Sequence, residues 1–267
     1  METCALHDKG EIEAFLRKNV YLHIYSIGDL DDFFWHKTIW YGSKTSDQIQ
    51  AIAMLYTEPP LPTLHAMGEQ HEPIAELIRS IFHLLPGRFH AHLSPGLCRR
   101  LSPRWQPEAL TRCQKMFLTR PERVAGIETD DVERLSPADL PQLQAFFAIA
   151  YPDNWFDPRM LETGQYFGIR RDGNLQSVAG IHVYSRRYRV AALGNIATVP
   201  GARGLGLAGR VTARLCRSLL ADVDAIGLNV HADNRAAIAC YRRLGFDVIA
   251  SYEEVRLNAC DGLSLSI

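Results

Sequence analysis

The chain has 267 residues, 47% of them hydrophobic and 22% charged, and its 29 basic against 30 acidic residues leave a net charge of −1. This composition supports one large or two small globular domains and excludes a disordered or collagen-like chain. It offers no basic footprint for nucleic acid and no apolar run of membrane-spanning length.

Residues 1–10 lack the apolar core of a secretory leader. The six cysteines, Cys4, Cys98, Cys113, Cys216, Cys240 and Cys260, form no Cys-x-x-Cys pair and no cluster with histidine at zinc spacing. A soluble cytoplasmic protein with buried free thiols and no metal is therefore expected. Residues 10–20 place Ile12, Phe15, Leu16 and Val20 at helical spacing. The next stretch is dense in aromatics: Phe33, Phe34, Trp35, Trp40 and Tyr41. A base-stacking platform is one reading. A small core with a helix is preferred, because only Lys37 interleaves and Asp29, Asp31 and Asp32 would repel phosphates.

Residues 50–57 predict a strand, 58–62 break it, and 64–68 resume it. Residues 72–85 predict an amphipathic helix with Pro73 in its first turn. Residues 88–94 and 114–120 predict two more strands. This half is mixed α/β without a catalytic motif. The polar, Gly/Pro-punctuated stretch 121–133 marks the expected boundary between an accessory domain, 1–125, and a second domain, 126–267. The second begins with a short strand carrying Val132 and Leu135. Ser136 then caps a helix with Pro137 first and Asp139 third. Asp172-Gly173 between alternating apolar runs predicts a hairpin. Residues 188–199 predict a strand, followed by a glycine-rich turn, a long helix, a buried strand at 225–230, and a helix from Arg235 to Leu244 that Gly245 ends.

The chemistry is concentrated at residues 199–209, V-P-G-A-R-G-L-G-L-A-G. A strand, a glycine turn and a helix start leave backbone N–H groups pointing outward with the helix dipole behind them, an anion site suited to a pyrophosphate. Gly204 and Gly206 would let a phosphate approach the backbone closely. Gly204, Gly206 and Gly209 also match the dinucleotide pattern G-x-G-x-x-G. Against that reading, Pro200 to Arg203 separate the first glycine from the strand, and no acidic residue other than Asp222, Asp224 or Asp233 is placed for a ribose.

The stretch V-P-G-A-R-G-L-G-L-A-G resembles the acyl-CoA-binding motif of the GNAT superfamily of N-acetyltransferases. L-N-V-H-A-D-N-R-A-A-I-A-C-Y-R-R-L-G-F (228–246) resembles the family's second signature, and V-E-R-L-S-P-A-D-L-P-Q-L-Q-A-F-F its opening strand and helix. The resemblance covers about residues 130–260. It implies an α/β fold: a mixed, mostly antiparallel sheet, splayed beside the glycine turn, flanked by helices, with acetyl-CoA as co-substrate in the splay. A second, smaller α/β domain would precede it. By the same resemblance, backbone around Arg203, Gly204, Gly206, Leu207 and Ala208 would hold the pyrophosphate. Ile196, Ala197 and Val199 would pair with the pantetheine arm as an added strand, and a backbone N–H near Ile196 or Ala197 would polarise the thioester carbonyl. Asn234 would hydrogen-bond the pantetheine, and Tyr241 would protonate the departing thiolate.

Many members place a Glu where Asn195 stands, and Asn195 cannot act as a base. His182, expected on the neighbouring strand, is the candidate general base, with a suitable ordinary pKa. A structural histidine, Glu253, Glu254, a water relay and His231 are the alternatives. Tyr151, Trp155, Phe156 and Tyr166 surround a loop that either walls an acceptor pocket, with Asp153 or Asp157 attracting an ammonium, or seals the core. The first half resembles a degenerate copy of the same fold. Without the R-G-x-G turn it would not bind CoA, and would wall the acceptor site or mediate homodimerisation. The expected activity is acetyl transfer to a primary amine of a small-molecule or amino-acid-like acceptor, with no nucleic-acid or membrane partner. A non-catalytic acyl-CoA-binding module is the alternative.

Overall fold

The computed structural model describes residues 1–58, 61–101 and 105–259. In chain order the elements are β1 (Glu2–Ala5), α1 (Lys9–Leu16), α2 (Val20–Gly28), α3 (Asp32–Trp35), β2 (Thr38–Thr45), β3 (Gln48–Tyr56), β4 (Thr63–Ala66), α4 (His71–Ile81), β5 (Arg88–Leu93), α5 (Cys98–Leu101) and β6 (Trp105–Leu118). The chain continues through α6 (Glu122–Ala125), β7 (Glu133–Arg134), α7 (Leu140–Ala150), β8 (Phe167–Arg171), β9 (Asn174–Ser185), β10 (Val190–Thr198), α8 (Leu207–Leu219), β11 (Ala225–His231), α9 (Arg235–Arg243) and β12 (Phe246–Ala259).

Two compact units result. The first holds residues 1–115, 231–233 and the described residues from 250, and the second holds 116–230 and 234–249. The linear division expected at 125/126 is therefore not the division by contacts. The reason is β12: its residues from Glu253 to Asn258 pair antiparallel with β5, from Leu93 to Arg88, and so belong to the first unit. The polar stretch near 121–133 is part of the second unit rather than a linker. Arg217 on α8 donates to the carbonyls of Val124, at 2.6 Å from Nη2, and of Ala125 and Ile127, and to Thr129 Oγ1 at 2.9 Å. Backbone carbonyls that would otherwise need water are thereby satisfied by one guanidinium.

The two units share one plan. In the first, β1–β2, β2–β3 and β3–β4 pair antiparallel and β4–β5 pair parallel. In the second, β7–β8, β8–β9 and β9–β10 pair antiparallel and β10–β11 pair parallel. Each parallel pair needs a crossover helix, α4 in one unit and α8 in the other. The α4 face that supplies Ile74, Ala75, Leu77, Ile78 and Ile81 is buried against the first unit's core, with Leu64, Phe89, Ala91, Val255 and Leu257. In α8, Leu207, Val211, Leu215 and Leu219 do the same for the second.

Local chemistry explains the element ends. Asp8 Oδ1 accepts from Gly10 and Glu11 N–H at the start of α1, and Asn19 Oδ1 from Leu22 N–H at the start of α2. The expected hairpin between β8 and β9 is present, with Asp172 at φ 48° and Gly173 at φ 77°. A second left-handed pair, Ser46 at φ 49° and Asp47 at φ 62°, joins β2 to β3. Within the aromatic stretch, Phe34, Trp40 and Tyr41 are buried and Trp35 stacks on Trp40, as a core requires. Cys98, Cys113 and Cys216 are buried thiols and Cys4 and Cys240 half-buried ones; Cys260 lies outside the described residues. Among the described residues no helix is long and apolar enough to cross a membrane.

Asp29, which ends α2, is buried, and burial pushes its carboxyl up to about 8. The folded state therefore holds this proton over a pH range in which the unfolded chain has lost it. The stability it contributes is full below the unfolded value near 4 and is lost as pH rises through about 8. Asp29→Asn is expected to raise the melting temperature at pH 8, by a stabilisation on the order of 5 kcal/mol, and to change it little at pH 4. Thermal melts of both proteins across that range check this.

Candidate active site

The site follows from how β10 changes partners. On one side it pairs with β9 from Val190↔Ser185 to Thr198↔Ser177. On the other its ladder to β11 runs only from Val190↔Ala225 to Leu193↔Leu228, although β10 continues to Thr198. Where that ladder stops, the register with β9 also shifts, from Gly194↔Gly180 to Ala197↔Val178. Two residues, Asn195 and Ile196, thus face one on β9, a bulge, and Asn195 takes φ 54°. A bulge bends and twists its strand, and Asn tolerates the left-handed region better than most residues. Beyond Leu193 the opposite edge of β10 is therefore open, and it carries Ile196, Ala197 and, just past the strand, Val199.

The turn that follows is a single 3₁₀ turn, Pro200–Ala202, with Arg203 extended behind it. Gly204 and Gly206 adopt φ 80° and 77°, and Gly206 is the residue on which α8 begins. A Cβ built on either glycine meets no atom within 4 Å. Glycine is therefore required here by backbone conformation rather than by crowding, and the space before the turn is open. Leu207 and Ala208 open the helix, so their N–H groups lie in the first turn, where no helical carbonyl reaches them. Arg203 Nε donates to Thr198 O at 3.2 Å, folding the side chain back over its own turn. The third glycine of the pattern, Gly209, lies inside α8, where a Cβ would meet Cys240 Sγ on α9 at an ordinary contact distance of 3.7 Å.

Asn234 caps α9, its Oδ1 accepting from Ala237 N–H at 3.1 Å. That bond occupies the oxygen and leaves the amide nitrogen as the donor side. Tyr241 is buried two turns on, its ring centroid 6.0 Å from that of Phe246. Burial first, and then the neighbouring Cys240, Tyr151 and Cys216, push its phenol above the usual range. The hydroxyl therefore keeps its proton at neutral pH and has one to donate.

His182 is half-buried, its ring centroid 5.8 Å from that of Trp155, and desolvation of the imidazole lowers its pKa to about 4. A Cβ on Gly194 would lie 2.0 Å from this ring; only glycine lets the imidazole lie there. Asn195 is held on both ends of its amide. Its Nδ2 donates to Tyr166 Oη at 2.8 Å, and its Oδ1 accepts from Asn154 Nδ2 at 3.1 Å. Tyr166 Oη donates in turn to Ile181 O at 3.0 Å. Successive residues of one loop, Asn154 and Trp155, thus contact Asn195 and His182. This Tyr166–Asn195–Asn154 relay was not read from the sequence, because its members lie far apart in the chain. The alternative bases Glu253, Glu254 and His231 belong to the first unit.

Residues 132–246 match the sequence pattern of the Acetyltransferase (GNAT) family. This segment is a GNAT domain. The GNAT match begins at β7 and ends at the first residue of β12, and so contains the opened β10 edge, the glycine turn and α9. A curated relative, the mycothiol acetyltransferase of Paenarthrobacter aurescens (strain TC1), is 34% identical over 98 residues, which is 35% of this chain. The aligned region spans only 29% of that relative's length. Among solved structures, a Drosophila melanogaster protein superposes with a TM-score of 0.72 at 16% identity, over 96% of this chain and 98% of its own. A GCN5-related N-acetyltransferase from Sphaerobacter thermophilus gives 0.61 at 14% identity over 98% of both chains. A tandem GNAT protein from the clavulanic acid biosynthesis pathway gives 0.56 at 14% identity, over 98% of this chain and 99% of its own. At these identities the likeness is one of fold: a mixed α/β fold with a largely antiparallel sheet and flanking helices, as expected.

Two outcomes follow for the GNAT domain. Gly194→Ala is expected to destabilise it by about 1–3 kcal/mol, because the methyl overlaps the His182 ring. Combining it with His182→Ala should cost less than the sum of the single changes, which denaturant unfolding of the double-mutant cycle measures. His182 itself is neutral in the fold, so the stability it contributes is full above the unfolded value near 6.5 and is lost as pH falls toward about 4. His182→Gln should flatten the loss of melting temperature over that window, by up to about 3 kcal/mol. It should not abolish the loss, because His23 and His65 are lowered to about 4 and about 3 by burial with the same sign.

Proposed function

We propose that this chain transfers an acetyl group from acetyl-CoA to a primary amine of a small-molecule or amino-acid-like acceptor. The observation that carries the proposal is the pair of left-handed glycines, Gly204 and Gly206, facing open space at the start of α8 where β10 has left β11. Free N–H groups, a helix N-terminus and absent side chains suit a pyrophosphate. The open edge of β10 at Ile196 and Ala197 suits an extended amide-bearing arm, which would complete the ladder that β11 abandons. A relative named for acetyl transfer supports the same class of reaction.

In the proposed reaction the amine nitrogen attacks the thioester carbonyl, forming the C–N bond. A tetrahedral intermediate collapses with loss of the C–S bond. A backbone N–H at the bulge near Ile196 or Ala197 stabilises the oxyanion. Tyr241 gives its proton to the leaving thiolate, in keeping with a phenol that holds its proton at neutral pH. Asn234 donates to the pantetheine from its amide nitrogen. His182 accepts the proton that the amine loses. Its low basicity confines it to taking that proton as the C–N bond forms, when the nitrogen is most acidic. Asn195 positions the loop through Asn154 and Tyr166 and takes no proton. The first unit is read as a degenerate copy of the GNAT plan. At the position of the glycine turn it has Gly68, whose Cβ direction ends 2.6 Å from Ile74 Cδ1, in place of the R-G-x-G pattern, and this unit is read as not binding CoA.

Calorimetric titration with acetyl-CoA, with NADH as comparison, is the test of the donor. Micromolar binding of acetyl-CoA alone is expected, and binding of NADH alone would overturn the reading. Gly206→Asp should abolish acetyl-CoA binding by setting a carboxylate against the pyrophosphate. Tyr241→Phe should lower kcat by about 10²–10⁴-fold with nearly unchanged donor affinity. Retained donor binding without thiol release across an amine panel would leave a non-catalytic acyl-CoA-binding module instead.

A further inference from the structure

Outside the GNAT segment's chemistry, the first unit gathers three potential ligands from three different strands. Cys113 on β6, His231 at the end of β11 and Glu254 on β12 each offer one ligand atom, and these atoms all lie within 4.8 Å of one another. Cys113 Sγ donates to Glu254 Oε2 at 3.7 Å. The arrangement is fixed from the backbone outward. Ala232 N–H donates to Arg112 O at 2.9 Å, which ties the residue after His231 to the residue before Cys113. Glu254 sits directly opposite His92 in the β5–β12 ladder, and His92 Nε2 lies 3.9 Å from Glu254 Oε2.

We propose that Cys113, His231 and Glu254 form a site for a borderline-soft divalent cation of the Zn²⁺ type. The donor set is the argument. One sulfur, one imidazole nitrogen and one carboxylate oxygen match zinc-type preference and offer too few oxygens for Ca²⁺ or Mg²⁺. Tetrahedral zinc sets such ligand atoms about 3.3–3.8 Å apart. The thiol–carboxylate pair already has that separation, and the other ligand atoms, all within 4.8 Å, need to close by no more than about 1.5 Å. His231 is exposed and can turn, and it gives the ion a path in from solvent. His92 lies just outside the ligand set, its Nε2 3.9 Å from the carboxylate oxygen. Three protein ligands leave a fourth position for water. On binding, the Cys113 S–H bond breaks, a sulfur–metal bond forms and the proton leaves to buffer; no redox change is involved. The expectation of no metal rested on linear spacing, and these residues come together only because β6, β11 and β12 do.

The test uses the full chain, stripped with a chelator and titrated with Zn²⁺ alone and with Co²⁺ alone. One equivalent should bind, Mg²⁺ should not compete, and the cobalt form should show a thiolate-to-metal charge-transfer band in the near ultraviolet. His231→Ala, an exposed substitution that leaves the circular dichroism unchanged, should weaken binding at least about 10–100-fold. Cys113→Ser should remove the charge-transfer band. A wild-type cobalt spectrum without that band, or equal affinity in wild type and His231→Ala, would overturn the proposal.

Discussion

Everything at the candidate active site depends on β10 being able to pair on one side and not on the other. A strand inside a sheet has its backbone fully committed, and a ligand has nothing left to bind. Here the parallel ladder to β11 ends at Leu193, while the antiparallel ladder to β9 continues through a bulge to Thr198. Asn195 makes the bulge affordable. It accepts the left-handed conformation and is locked there by Tyr166 and Asn154. Asn195 is thus a structural pin for the opening.

The first unit shows what the same plan looks like without that pin. Its parallel pair β4–β5 is in register over the whole of β4, from Thr63↔His90 to Ala66↔Leu93. The turn after β4 has Gly68 packed toward Ile74, and its N–H is donated to Ser94 Oγ. Equivalent strands with equivalent connections therefore give one open edge and one closed edge. The difference lies in a few residues at one strand end and one turn, not in the topology.

Much of this was legible in the sequence, where local chemistry dictates local structure. The Asp172-Gly173 hairpin, the amphipathic α4, the cap at Ser136 and the strand–glycine–helix passage through Gly204 and Gly206 each follow from a few adjacent residues. β2 was hidden because aromatic density in 33–41 masked its alternation, and because Ser46-Asp47 is a weaker turn signal than Asp-Gly. The stretch 121–133 looked like a linker by composition, yet Arg217, some ninety residues away, satisfies its carbonyls. His182 has the ordinary pKa of a base in sequence and a much lower one when desolvated, a change that only packing reveals. The Cys113–His231–Glu254 cluster spans strands far apart in the chain, beyond the reach of any spacing rule.

The return of β12 to the first unit also sets an order of events during synthesis. Its residues from Glu253 to Asn258 fill a place beside β5. A ribosome working from the N-terminus delivers every residue of the second unit before it delivers those. The unit that is made first is finished last. Until then β5 waits with an exposed, unpaired edge, the kind of surface on which nascent chains aggregate or recruit chaperones.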